Sequence, residues 1–211
     1  FVVLRGMSYI GTGIAHGALA GVALALLLKW NPLVLAIITS LIMVIVIEIL
    51  SKKTQLKVDT AIGVVFSTAM AFAVLFFGML KGYVSELKTY LFGNLLLVSD
   101  TDLKIMLGTG IIVALVIILL FKEFQFITYD PEMAEIAGLP VLFLSLLLSV
   151  LLGLTISISL QAVGELLVVA MIVLPASAAY QLTDSLAKMM SVAVIIGVFS
   201  SITGIVTAFY L

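Results

Sequence analysis

The chain has 211 residues, of which 64% are hydrophobic and only 10% are charged, and its mean hydropathy is +1.40. This composition is typical of an integral membrane protein and excludes an ordinary water-soluble domain. A formal net charge of -1 offers no basic surface for nucleic acid, and the absence of cysteine excludes disulfides and thiolate metal sites. Any protein ligand to a metal ion must therefore be a nitrogen or an oxygen atom.

Apolar runs separated by polar or helix-breaking residues predict an all-α membrane protein, a polytopic helical bundle of about seven to eight transmembrane helices. We interpret residues 1–211 as a single transmembrane domain. The sequence begins without an initiator Met or the pattern of a signal peptide and ends within an apolar run, so we expect this domain to continue beyond both ends. The predicted helices are 7–28, 33–50, 60–80, 103–121, 141–159, 163–181 and 189–210.

The loop at 51–59 predicts the orientation in the membrane, because short loops that are rich in lysine and arginine stay in the cytoplasm. Alternation from this loop places Arg5 on the cytoplasmic side as well. Glu48 lies near the cytoplasmic end of its helix, so we expect its carboxylate to extend to the membrane interface. The segment 83–98 then lies outside, and its apolar core is too short to span a bilayer, which favours a re-entrant or surface helix.

The first predicted helix contains the only histidine of the chain, His16, in the stretch GTGIAHGALAG. Gly13, Gly17 and Gly21 recur every four residues, so they form a ridge on which a neighbouring helix can pack closely. Thr12 and His16 lie on the adjacent line, which places the imidazole in a packed seam near the middle of the helix. Neutral imidazole is a good ligand for zinc and an acceptable one for manganese. An interhelical hydrogen bond is the alternative role.

Glu165 is the one carboxylate placed well inside an apolar run. An ionisable group inside a membrane is costly and usually faces a cavity or a partner. Its helix also contains Pro175, which weakens the helix and allows it to flex. We therefore hypothesise that Glu165 guides cations inward and that His16 contacts them transiently. The alternative is that Glu165 only stabilises the positive end of its helix.

The stretch FQFITYDPEMAEIAGLP predicts a short helix at 131–137, in a loop that alternation places in the cytoplasm. Asp130 can cap the first turn, Pro131 suits the first helical position, and Glu132 favours the positive end. Gly138 can end the helix. A helix this short is unstable alone in water, so it must pack. It either packs on its own domain as a single helical turn or protrudes from the domain and docks into another protein.

Five segments resemble, in order, those of the permease subunits of metal-ion (zinc/manganese) ABC importers. They are LRGMSYIGTGIAHGALAGVAL, VDTAIGVVFS, YLFGNLLLVSDTDL, DPEMAEIAGLP and VGELLVVAMIVLPASAAYQL. The resemblance covers nearly the whole chain and implies a fold like that of type II ABC importer permeases. It also implies that His16 lines the metal path and that 131–137 is the cytoplasmic coupling helix. The residues expected to couple this helix to the ATPase are Asp130, Pro131, Glu132, Ala134 and Gly138.

The resemblance implies a transporter in the prokaryotic plasma membrane. Its expected partners are a second copy of the permease, two cytoplasmic ATP-binding subunits and an extracytoplasmic metal-binding protein. The chain has neither GxxxxGKS nor GxxxxGKT, the phosphate loop of many ATPases, so ATP is expected to bind to a partner. We therefore expect a transport subunit with no catalytic residue and no permanently bound cofactor, whose cargo is a divalent metal ion.

One departure bears on the choice of metal. The family commonly has an aspartate four residues before this histidine, where the present chain has Thr12. Loss of a hard carboxylate ligand weakens manganese binding more than zinc binding, which favours zinc. Two other functions stay open: a siderophore or vitamin ABC permease, which shares the broad fold, and a secondary cation carrier that works without an ATPase.

Overall fold

The computed structural model describes residues 1–7, 9–53, 58–80, 90–93 and 98–210. Regular secondary structure within these residues is helical, with no strand. The helices are α1 (Ile10–Leu28), α2 (Pro32–Lys53), α3 (Val58–Met79), α4 (Asp100–Leu119), α5 (Phe121–Tyr129), α6 (Pro131–Ile136), α7 (Val141–Val163), α8 (Glu165–Leu182) and α9 (Leu186–Tyr210). Seven of these helices are long and apolar enough to cross a membrane. The predicted all-α polytopic bundle is confirmed.

The start of α1 differs from the prediction. The helix begins at Ile10 rather than at residue 7, and it follows a turn in which Gly6 has a φ of 66°. His16 therefore lies about 9 Å along α1, in the first half of the helix but nearer to its middle than to its beginning. Most of the predicted segment 83–98 and part of the lysine-rich loop lie outside the described residues.

The start of α4 also differs, for a reason visible in the sequence. The prediction began this helix at residue 103, whereas the structure begins it at Asp100. Ser99 and Asp102 form a capping box, in which the Asp102 backbone donates to the Ser99 hydroxyl and the Asp102 carboxylate accepts from the Ser99 backbone. These two bonds satisfy donors that the first turn would otherwise leave unpaired, and they extend the helix.

The glycine ridge of α1 packs against α2, as its spacing predicts. A Cβ atom on Gly21 would lie 2.6 Å from the Leu35 carbonyl oxygen, and one on Gly17 would overlap the Met43 side chain. Because lipid offers no hydrophobic gain for helix association, close backbone approach is a main source of stability in such pairs. The contact fixes α1, which carries His16, firmly on α2.

A second face of α2 packs against α7 through small and polar residues. Ser157 donates to the Ser40 hydroxyl at 2.7 Å, and Ser149 donates to the Glu48 carboxylate at 3.2 Å. Between these bonds, a Cβ on Gly153 would lie 3.4 Å from Val44 Cγ2. We call this contact the α2–α7 seam. Its residues are Ser40, Val44 and Glu48 on α2, and Ser149, Gly153 and Ser157 on α7.

The helices α5, α6 and α7 share an apolar cluster. Its buried members are Phe124, Ile127, Ala134, Leu144, Leu148 and Leu151. Phe124 and Ala134 are completely buried, although both belong to short helices that would be unstable alone. Burial against α5 and α7 therefore holds the short helix α6 in place.

The chain divides into two compact units, Phe1–Val169 and Ala170–Leu211. Within the second unit, Gly197 approaches the ring of Pro175, with 3.8 Å between a Cβ placed on the glycine and Pro175 Cγ. The large apolar side chains of α9 are mostly exposed, as expected for a helix whose solvent is lipid.

Candidate functional site

His16 is oriented by groups from two helices. Its Nδ1 atom lies 3.0 Å from the Thr12 carbonyl oxygen, and its ring meets Phe66 of α3 edge-on with 4.6 Å between ring centroids. A carbonyl only accepts, so a hydrogen bond here needs a hydrogen on Nδ1, and a neutral ring of this tautomer has its lone pair on Nε2. The His16 side chain is still 17% exposed, which leaves the imidazole accessible to a small ion. No pattern in the sequence pointed to Phe66.

Glu165 lies directly against His16. Its Oε1 atom contacts the Nδ1 atom of the imidazole, and the residue is only 2% exposed. Within the described part of the chain, neither carboxylate oxygen of Glu165 has a well-aligned hydrogen bond. A buried carboxylate in this state is unfavourable unless a positive charge faces it. Either a protonated imidazole or a metal cation would supply that charge.

A pair of glycines places Glu165 at the first position of α8. Gly164 has a φ of 82° and ends α7, so that α8 starts with the very next residue. A Cβ on Gly93, whose φ is 75°, would lie 2.8 Å from the Gly164 nitrogen and would overlap the Val163 carbonyl. Residues 91–93 thus lie backbone to backbone on the junction of α7 and α8. The sequence pointed to the Leu-Phe-Gly segment but not to this contact.

The ligand set around His16 is incomplete for a permanent metal centre. The described residues contain no group of three or more His, Cys, Asp or Glu side chains that could hold a metal ion. His16 and Glu165 supply an imidazole nitrogen and carboxylate oxygens, whereas a structural zinc site has four protein ligands. A pair of this kind suits an ion that keeps part of its water shell and stays only briefly.

The helix α6 has the capped form that the sequence predicts. The Asp130 carboxylate accepts from the Met133 backbone at 2.9 Å, and Pro131 occupies the first turn. The helix ends at Ile136 rather than at 137, and Gly138, with a φ of 85°, turns the chain away.

One face of α6 is anchored and the other is exposed. Ala134 is buried against α7, whereas Met133 and Ile136 are 52% and 78% exposed. Glu132 and Glu135 are exposed as well. The helix therefore presents an apolar and acidic surface from a fixed position.

Glu48 does not extend to the membrane interface, and the prediction that it would is wrong. It is 5% exposed and accepts a hydrogen bond from Ser149. The nearby Arg5 is half-buried and donates to Ser145 at 2.8 Å. Burial lowers the pKa of Arg5, and the Glu48 carboxylate raises it. Packing of α7 over this end of α2 leaves Glu48 no path to the interface.

The whole chain, residues 1–211, matches the model of the family described as the ABC 3 transport family. This chain belongs to the ABC 3 transport family. It is 40% identical to the manganese transport system membrane protein MntC of Halalkalibacterium halodurans over 205 residues. This alignment covers 97% of the present chain and 70% of MntC. It is 34% identical to the high-affinity zinc uptake system membrane protein ZnuB of Haemophilus influenzae over 212 aligned positions. This alignment covers 100% of the present chain and 81% of ZnuB. A solved structure, PsaBC from Streptococcus pneumoniae in complex with Fab, is similar with a TM-score of 0.85 and 36% identity, covering 99% of this chain and 75% of that one.

Membership of the ABC 3 transport family confirms the resemblance to metal-ion ABC importer permeases. Together with seven apolar helices, it identifies a multi-pass protein of the plasma membrane. These relatives are named as membrane proteins of a manganese transport system and a zinc uptake system. In this ABC 3 protein the structure joins His16 to Glu165, whereas α6 packs against α5 and α7. Their roles in transport remain predictions.

Proposed function

We propose that this chain is the permease subunit of an ATP-driven importer that moves a divalent metal ion into the cytoplasm. An extracytoplasmic binding protein delivers the ion, and two copies of the permease work with two cytoplasmic ATP-binding subunits. The observation that carries this proposal is the buried Glu165 carboxylate against the only histidine. In a chain of this family, such a pair is suited to contact a passing cation.

His16 and Glu165 play different parts in this proposal. The His16 Nε2 lone pair binds the ion, while Nδ1 faces the Thr12 carbonyl and Glu165 Oε1. The second oxygen of Glu165 is left to attract the cation. Zinc is the favoured cargo because the ligands include the imidazole of His16 and because position 12 is a threonine and not an aspartate. Manganese is the second candidate.

The helix α6 transmits the movement of the ATP-binding subunit in this proposal. Its exposed face combines Met133 and Ile136 with Glu132 and Glu135, so the complementary groove should offer apolar and basic groups. Because the helix is capped and Ala134 is buried against α7, a push on α6 moves α7 instead of bending a loose loop.

Reconstitution tests this function. The permease, its ATP-binding subunits and the binding protein are placed in liposomes, and metal uptake and ATP hydrolysis are measured with zinc, manganese and no metal. Uptake that needs ATP and all subunits supports the proposal. Cation uptake by the permease alone would instead identify a secondary carrier, and uptake of a chelate but never of the free ion would identify a siderophore-type permease.

The Asp130→Ala variant is expected to uncouple ATP hydrolysis from transport. Loss of an N-cap costs about 1 kcal/mol, which is large for a helix of one or two turns, and we expect uptake to fall about fivefold. Asp130→Asn keeps a capping oxygen and is the matched control. The ratio of metal transported to ATP hydrolysed measures the effect, and equal ratios in both variants would contradict the role given to the cap.

The Thr12→Asp variant is expected to shift the metal preference toward manganese. It adds a carboxylate one turn before His16, and manganese gains more than zinc from a hard oxygen ligand. We expect the ratio of manganese to zinc uptake to rise about tenfold. Thr12→Asn, which adds an amide of the same size, is the control, and an unchanged ratio in the aspartate variant would remove Thr12 from the metal path.

A further inference from the structure

The α2–α7 seam ends in a group of charged and polar residues that the proposed metal path does not use. Arg5 donates to Ser145 at 2.8 Å, and Glu48 accepts from Ser149 at 3.2 Å. The two serines lie one turn apart on α7, so one helix face holds both a cation and an anion. We call Arg5, Glu48, Ser145 and Ser149 the charged cluster.

The charged cluster is buried but incompletely paired. Glu48, Ser145 and Ser149 are 5%, 1% and 4% exposed. Nη1 of Arg5 is buried and has no hydrogen-bond partner among the described residues. Beside it lies a cavity of about 10 Å³ lined in part by Arg5 and Ser149, which is room for one water molecule. Opposite charges that lie largely out of water with unmet hydrogen bonds give little net stability, because desolvation offsets their attraction.

The other end of the seam is paired more completely. Ser157 donates to Ser40 at 2.7 Å and lies 2.9 Å from the Gly153 carbonyl, while Ser40 also lies 2.8 Å from the Ile37 carbonyl. No charge is buried among these residues, so separation there would gain no solvation of ions. The seam therefore has a firm end at Ser40 and Ser157 and a weak end at the charged cluster.

The weak end lies close to α6. The helix α7 begins at Val141, only a short connection after Ile136, and Ser145 is in its second turn. Leu144 and Leu148, on the same stretch of α7, pack in the cluster that buries Ala134 of α6. A displacement of α6 thus reaches the charged cluster before it reaches the firm end of the seam.

We propose that the charged cluster is the inner latch of the transport path. When the ATP-binding subunit moves α6, α7 separates from Arg5 and Glu48 at the predicted cytoplasmic end while the firm end stays closed. Water enters and solvates both charges, which offsets the contacts that are lost. The inference rests on the proposed function, since it assumes that the cytoplasmic end of this path opens during transport.

Val44 offers a direct probe of the latch. Its side chain is completely buried in the seam against Gly153, and the chain contains no cysteine, so Val44→Cys introduces a unique thiol. The complete transporter is placed in inverted membrane vesicles, and a membrane-impermeant thiol reagent is added on the cytoplasmic side. We expect ATP to accelerate labelling about tenfold, because only opening at the cluster exposes this position.

Two further changes should alter this labelling in opposite directions. Arg5→Leu with Glu48→Leu replaces the charges by apolar groups that gain nothing from water, and we expect labelling and metal uptake to slow about tenfold. Ser145→Ala with Ser149→Ala leaves both charges without their partners, and we expect labelling without ATP to speed up about tenfold. Ser157→Ala at the firm end is the control and should change labelling less than about twofold.

The outcomes separate the latch from the proposed function. Opposite shifts in the two double variants support the latch, and shifts of the same sign or no shift overturn it. If the leucine variant fails to assemble, the serine variant decides alone: unchanged labelling rejects the latch. Metal uptake by the parent protein with labelling that ATP does not affect overturns the latch only. Labelling as expected, without any metal uptake, retains the latch as a moving part and overturns the proposed cargo.

Discussion

A His16→Gln variant is expected to assemble normally and yet lose metal uptake by about 100-fold. Glutamine can donate from its amide to Glu165, whose Oε1 atom contacts Nδ1 of His16. It therefore preserves a polar interhelical contact with the buried carboxylate. What it removes is the nitrogen lone pair that binds zinc or manganese. The variant thus separates the two roles that a histidine at this position can have.

The measurement compares assembly with transport. Thermal melting of the purified complex reports assembly, and initial rates of zinc and manganese uptake in liposomes report transport. If His16 only formed an interhelical hydrogen bond, the glutamine variant would keep both. His16→Ala is a less clear test, because it leaves Glu165 buried without a facing group and lowers stability by itself.

The Glu165→Gln variant completes this comparison. The amide has the shape of the carboxylate but no charge, so it relieves the burial of an unpaired anion and should not lower the melting temperature. We expect uptake to fall about tenfold, because the cation loses its attraction to this position. Stabilisation of the start of α8 is the alternative role, and it predicts a lower melting temperature with normal uptake. Thr155→Val is the control, because it also removes a polar group, a hydroxyl that is bonded only within its own helix.

The Gly21→Ala variant is expected to yield little folded permease. The added methyl group would lie 2.6 Å from the Leu35 carbonyl oxygen, a backbone atom that cannot turn aside. Overpacking of this kind costs about 1 to 3 kcal/mol even when side chains can adjust, and here α1 and α2 must separate. The expected result is a large drop in melting temperature and in yield, with loss of uptake as a consequence.

Other glycines provide graded controls. Gly17→Ala meets the flexible Met43 side chain and should have a smaller effect, whereas Gly13→Ala meets Ile62 at 3.4 Å and should have a smaller one still. Gly108→Ala on α4 meets no atom within 4 Å and should be neutral or slightly stabilising, since alanine favours helix by about 1 kcal/mol. Equal melting temperatures for the Gly21 and Gly108 variants would contradict the close packing of α1 on α2.

The sequence determined the features that depend on neighbours within a helical turn or on the length of an apolar run. The seven spans follow from runs long enough to cross a bilayer. The cap of α6 follows from Asp130 and Pro131, whose hydrogen bond and backbone angle act on the adjacent turn. The glycine ridge of α1 was also predictable, since repeats of four residues lie on one face of a helix wherever the helix packs.

Only the tertiary structure decided which helices meet. It joined His16 to Glu165, placed Phe66 beside the imidazole, and buried Glu48 where the sequence predicted an interfacial side chain. The physical reason lies in the membrane: helices such as α2 and α7 are apolar on nearly every side, so hydrophobic periodicity does not reveal which face packs. Contacts between such helices depend on close steric fit and a few polar pairs, and both arise between residues far apart in the chain.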